Sequence, residues 1–326
     1  MDLQSLAKQI ADFFMKNPEN TMPPPTTTTA PPTTAPTDPP VKKDKKKKAA
    51  QDTQEAPPTS ATAPAGWKFF KAGDAALGAS GRGTEKPVNK AGKVAFEALY
   101  KKGEIHPKGS SLNADLIPKE FFPSEQVRFS FKLMFDDNFP WGSDRKKVGG
   151  KIIGFFIGQG KASGGNYTKT GSSFRLTWSF NGGVGPYLYP QVKNPHAKGG
   201  SGGQDISWAD LDQSKEVQAV SYVAAGIHMF YPKKKENIEN WDLKLKKGAW
   251  NDIEMFIKLN TPGKQDGTLS LTVNGVNKRL DTVRFRNDNA KIERVEIATF
   301  FGGGTKEYAP PQDTRAWYAD FGFSKS

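Results

Sequence analysis

The sequence predicts an all-β protein, an antiparallel two-sheet β-sandwich of the jelly-roll type behind a disordered N-terminal tether. Three observations predict it. Apolar residues recur at every second position in several stretches, as at Val127, Phe129, Phe131, Leu133 and Phe135, which puts them on one face of a strand. Turns rich in Gly, Pro and Asn separate those stretches, and Asn274-Gly275 is a strong two-residue hairpin signal. Sustained helical periodicity is scarce after residue 66, and strands without alternating helices favour two packed antiparallel sheets.

Along the chain, residues 1–20 place Leu3, Leu6, Ile10, Phe13 and Phe14 at helical spacing, which predicts a short amphipathic helix. No basic leader with a long apolar stretch and a small-residue cleavage site is present, so no secretory signal peptide is expected. Residues 21–65 are a linker. PPPTTTTAPPTTAPTDPP loses backbone donors at its prolines and has little to bury, and VKKDKKKK (41–48) reads as a solvated charge run or an electrostatic attachment point. Residues 66–326 form the predicted folded domain, opened by Trp67, Phe69 and Phe70.

Within it, Lys90–Lys102 is the one helical candidate, with Val94, Ala95, Ala98 and Leu99 on one side. The strand at 127–135 carries Arg128, Ser130, Lys132 and Met134 on its second face. Residues 151–190 read as strand, glycine-rich loop, strand, Asn-Gly-Gly turn and strand. The same alternation returns at Ile253, Met255, Ile257 and Leu259, then at Leu269, Leu271 and Val273, and at Val295, Ile297 and Thr299. The glycine run at 199–203 and Lys233–Lys235 read as exposed loops.

Composition narrows the chemistry. The 326 residues include no Cys, which removes thiol nucleophiles, thiolate metal sites and disulfides. The three histidines, His106, His196 and His228, show no close metal-ligand spacing, so neither a metal nor another cofactor is expected. A formal net charge of +13, most of it after residue 65, suits a polyanionic partner. Nucleic acid is disfavoured because no recognised binding motif is present, and no membrane contact is expected. GQGKASGG lacks the Gly-Lys-Ser/Thr ending of a nucleotide-binding loop.

The informative window is 151–190. Side chains two apart on a strand share a face, so Ser173 and Arg175 point one way while Phe174, Leu176 and Trp178 point into the core. Tyr187 and Tyr189 share a face in the same manner. If the strands pair, these four line one patch, which Lys151 reaches from a neighbouring strand. Such residues suit β-elimination on a uronic acid. Arg and Lys neutralise the anion that develops on the carboxylate when the adjacent C5 loses its proton, and a Tyr beside a cation carries the proton. His228 is an alternative base or substrate contact.

These residues resemble polysaccharide lyase family fourteen, the polyglucuronate- and alginate-degrading lyases of chloroviruses. The resemblance rests on GGKIIGFFIGQGKASGGN (149–166), SSFRLTWSFNGG (172–183) and YLYP (187–190). It extends through AWNDIEMFIKLNTPGKQDGTLSLTVNGV (249–276), TFFGGG (299–304) and WYADFGF (317–323). It implies a β-jelly-roll lyase whose functional positions are Lys151, Ser173, Arg175, Tyr187 and Tyr189. The implied substrate is a glucuronate-rich polymer of the algal cell wall, with alginate as a further one. The implied location is the infected host's cytoplasm or the virion, to which the N-terminal segment is a candidate attachment. The alternative is a non-catalytic acidic-polysaccharide-binding or virion structural protein on the same fold.

Overall fold

The structure, a computed structural model, describes residues 64–141, 149–160, 168, 170–189, 191, 221–223, 226–228, 242–302 and 306–325. The helix expected in 1–20, almost all of the 21–65 linker, the glycine runs at 161–167 and 199–203, and Lys233–Lys235 lie outside the described residues.

Strands are numbered along the chain. One sheet takes β1 (Trp67–Phe70), β3 (Val88–Lys90), β4 (Lys93–Tyr100), β6 (Gln126–Phe135), β12 (Trp250–Lys258), β13 (Gly267–Val273), β14 (Val276–Val283) and β17 (Thr314–Ser324). The other takes β2 (Ser80–Arg82), β5 (Asn113–Leu116), β7 (Gly150–Gly158), β8 (Gly171–Trp178), β9 (Val184–Tyr189), β10 (Ser221–Val223), β11 (Gly226–His228), β15 (Ile292–Ala298) and β16 (Phe300–Phe301). Their spatial orders are β14-β13-β12-β6-β17-β4-β3, with β1 on β17, and β10-β11-β9-β8-β7-β15-β5-β2, with β16 on β7. The named strand pairs are all antiparallel.

The sheets pack face to face on the alternating residues that the sequence marks. Val127, Phe129, Phe131, Leu133 and Phe135 from β6 share one buried cluster with Phe155, Phe174 and Leu188 from the opposite sheet. Burying such aliphatic and aromatic groups is the main force holding two sheets together. The hairpin at Asn274-Gly275 forms as expected, with φ of 51° and 85°, the two left-handed positions of a type I′ turn.

One expectation is corrected. Lys90–Lys102 is not a helix: residues 93–100 form β4, paired with β17 on one side and β3 on the other. Phe96, Ala98 and Tyr100 enter the core cluster, a period of two that the apolar grouping of Val94, Ala95, Ala98 and Leu99 concealed. Ladder pairing on both edges outweighs the helical preference of Ala, Leu and Lys.

Candidate active site

The site forms on the outer face of the second sheet, where β7, β8 and β9 run as consecutive hairpin partners. The turn from β8 to β9 places Asn181 and Gly182 at φ of 55° and 75°. A Cβ on Gly182 would stand 2.6 Å from the Leu245 carbonyl oxygen, so this turn requires glycine. The resulting register sets Arg175 opposite Tyr187 and Ser173 opposite Tyr189.

On β7 the register shifts between Lys151 and Gly154. Ile152 and Ile153 are therefore both buried in the core, while Lys151 opposite Thr177 and Gly154 opposite Arg175 stay on the outer face. The structure thus brings all five sequence-predicted residues to one patch. Lys151 Nζ donates a hydrogen bond to Tyr189 Oη at 3.1 Å. It lies 4.6 Å from the centre of the Tyr189 ring, 5.2 Å from that of Tyr187 and 5.9 Å from that of Phe300. The two tyrosine rings meet edge to face with centroids 4.7 Å apart. Ser173 is fully buried between Phe156 on β7 and Tyr189 on β9 in the ladder.

Arg175 does more than the sequence indicates. Its side chain, only 7% exposed, donates from Nη2 to Glu296 Oε2 at 2.8 Å. Its guanidinium carbon lies 4.9 Å from the centre of the Phe156 ring, and that of Arg294 lies 4.2 Å from the same ring. Arg294 in turn pairs with Asp115 at 2.8 Å. Arg175 Nε is buried without a hydrogen-bond partner among the described residues, so the guanidinium retains donor capacity beyond Glu296.

Sequence reasoning missed Glu296, Arg294, Asp115 and Phe156. The signal for two of them was present: in IERVEIA, Val295 and Ile297 face the core, so Arg294 and Glu296 must face out. Ladder register ties them to the site, with Glu296 opposite Gly154 and Arg294 opposite Phe156. His228 occupies the backbone position opposite Tyr187, one strand further along. Among the described residues, no three His, Asp or Glu side chains are grouped to hold a metal ion.

The electrostatics follow from this enclosure. Burial among the rings drives the Lys151 pKa well below an ordinary lysine, the neighbouring Arg175 charge lowers it further, and Glu296 opposes both. Cation–π attraction to the rings, about 0.5–2 kcal/mol, favours the charged amine and offsets part of that shift. Burial also lowers the Arg175 pKa, against the opposing charges of Glu296 and Tyr189.

Over 189 residues, 56% of its length, this chain is 29% identical to a protein named Exolysin from Paramecium bursaria Chlorella virus 1. The chain spans only 26% of the length of that curated relative. The crystal structure of the alginate lyase vAL-1 from Chlorella virus superposes with a TM-score of 0.59 and 26% identity, covering 78% of this chain and 95% of that one. A marine alginate lyase from Aplysia kurodai, 20% identical, shares the fold with a TM-score of 0.54 over 79% of this chain and 90% of its own. The family model described as Polysaccharide lyase 14 matches residues 88–321, a span containing every site residue named above, and the chain belongs to that family.

Proposed function

We propose that this protein cleaves 4-linked polyuronates by β-elimination, and that Lys151 and Tyr189 are its acid–base pair. The observation that carries the reading is their direct hydrogen bond at 3.1 Å, made on a sheet face that also holds the Arg175 cation. Two solved relatives named alginate lyases support a polyuronate substrate. Polyglucuronate, the substrate implied by the sequence resemblance, offers the same carboxylate beside C5. The uronate-rich wall of an algal host is the proposed natural source.

The proton inventory closes within the pair. The Lys151 amine, half-buried against the surrounding rings with its pKa lowered, takes the C5 hydrogen as a proton. The electrons of that bond form the C4–C5 double bond as the C4–O4 bond breaks, and the Tyr189 hydroxyl protonates O4. Lys151 then passes its proton to Tyr189, which restores both groups. Arg175 opposes the negative charge that builds on the uronate carboxylate as C5 is deprotonated. Tyr187 packs edge-on against Tyr189 and fixes its ring, and Ser173, fully buried opposite Tyr189 in the ladder, supports that strand from inside the sheet rather than touching the sugar.

The test is incubation with polyglucuronate, polymannuronate and polyguluronate while following the ultraviolet absorbance of 4,5-unsaturated uronate. Absorbance is expected to rise with at least one polymer and to slow on the order of 10²-fold or more in Lys151→Met and Tyr189→Phe. Because the free amine is the base, the rate climbs with pH, and its limb lies below the ordinary lysine range. Binding to all three polymers without new absorbance would make the protein a non-catalytic polysaccharide-binding module and overturn the reading.

A further inference from the structure

We propose that Glu296 is a positioning residue of this site, holding Arg175 across β7 and supplying the negative charge that balances the cations around Lys151. The inference rests on the lyase reading and extends it to a residue outside the β7–β9 strands.

The geometry is particular. Glu296 on β15, Gly154 on β7 and Arg175 on β8 occupy successive positions of one row across the sheet. Arg175 and Glu296 are therefore not ladder neighbours, since a whole strand separates them. Their contact at 2.8 Å requires the guanidinium to extend over Gly154. A Cβ at Gly154 would stand 2.8 Å from Arg175 Cγ and 2.1 Å from the Phe174 carbonyl oxygen, so glycine keeps the path open. Phe156 supports the guanidinium from below, and the Arg294–Asp115 pair closes the far side. At 17% side-chain exposure, Glu296 is shielded enough for its charge to be felt at short range.

Among the described residues, the charged and titratable groups facing Lys151 divide by strand. β9 contributes Tyr187 and Tyr189, β8 contributes Arg175, β15 contributes Glu296, and β16 contributes only the Phe300 ring. His228 stands one strand beyond, at the backbone position opposite Tyr187. Glu296 is therefore the acidic group in this set. It favours the protonated amine, while Arg175 disfavours it.

Glu296→Gln tests the charge alone, because the amide oxygen still accepts from Arg175 and keeps the shape. The expected result is a rate limb displaced to lower pH, with kcat at the wild-type optimum reduced roughly tenfold and KM unchanged or lower. KM does not rise because Arg175, relieved of its carboxylate, meets the uronate more readily. A limb that stays in place or moves to higher pH, or a change confined to a higher KM, would overturn the proposal.

Carbon-13-labelled lysine followed by NMR titration gives a readout independent of turnover. The Lys151 midpoint should fall in Glu296→Gln relative to wild type, and an unchanged midpoint would count decisively against Glu296. A wild type that yields no unsaturated product would defeat the lyase reading, while the titration still decides the role of Glu296.

Discussion

Lys151 combines a catalytic opportunity with a cost in stability. The unfolded chain holds the Lys151 proton at an ordinary lysine pKa near 10.5, and the folded chain holds it less tightly. Between the lowered folded value and 10.5 the unfolded state binds more protons, so stability rises with pH through that window and is diminished below it. Lys151→Met should therefore raise the thermal midpoint at neutral pH by roughly 2–4 °C or more and flatten this climb. Calorimetry across pH measures it, and a midpoint equal to or below wild type would contradict the assignment. At this scale the sequence was half legible. Two-residue spacing paired Ser173 with Arg175 and Tyr187 with Tyr189 as candidates, Lys151 entered as the start of the preceding strand, and the structure brings the five together. The partner that occupies Arg175 lies 121 positions away in the chain, beyond the reach of any local spacing rule.

Among the elements, β7 shows how much a small irregularity can place. A regular strand alternates faces strictly, so residues 151 and 154 would lie on opposite sides of the sheet. The shift between them lets Lys151 and Gly154 share the outer face while Ile152 and Ile153 both stay in the core. Nothing in GGKIIGFF signals that shift, because an unbroken apolar run fits either register. The β8–β9 hairpin was legible because Asn181-Gly182 must take left-handed conformations. β4 was misread because Ala and Leu fit helix as well as strand, and although β3 precedes it across the two-residue turn Ala91-Gly92, its longer partner β17 lies at the far end of the chain. Gly154→Ala should push β8 away from β7, since the new methyl would sit 2.1 Å from the Phe174 carbonyl oxygen. The expected cost is about 1–3 kcal/mol of stability. Activity should fall further than that loss explains, because the Arg175 path closes as well. Chemical denaturation and the absorbance assay together separate the two effects.

Across the whole molecule, the two sheets are joined by buried hydroxyls as well as by apolar packing. Tyr318 Oη donates to Thr299 Oγ1 at 2.7 Å, and Tyr100 hydrogen-bonds the same hydroxyl. Tyr100 and Tyr318 belong to the first sheet, whereas Thr299 joins β15 to β16 in the second, one residue before the Phe300 that lies beside Lys151. Burial raises the Tyr100 pKa to about 12 and pushes Tyr318 well above the ordinary tyrosine value of 10.0. Above pH 10 the unfolded tyrosines lose protons that the folded ones retain, so stability should decline from there as pH climbs toward 12. Tyr100→Phe should make that alkaline decline shallower while costing about 1 kcal/mol at neutral pH. Unfolding midpoints measured between neutral and strongly alkaline buffer would test both halves. The two-layer plan itself was readable because inward rows such as Val127 to Phe135 and Ile253 to Leu259 alternate with outward residues. The hydroxyl tie was not, since Tyr100, Thr299 and Tyr318 meet only once the layers are stacked.

The occupied state of Arg175 also bears on product release in the proposed lyase reaction. A guanidinium already shared with a fixed carboxylate grips an incoming acid less tightly than a bare one would, because each must displace part of an existing attraction. Shortened, still negatively charged fragments can then leave a strongly cationic protein without clogging it. On the proposed lyase reading, the internal rival for the cation would serve as a release device, trading ground-state grip for turnover.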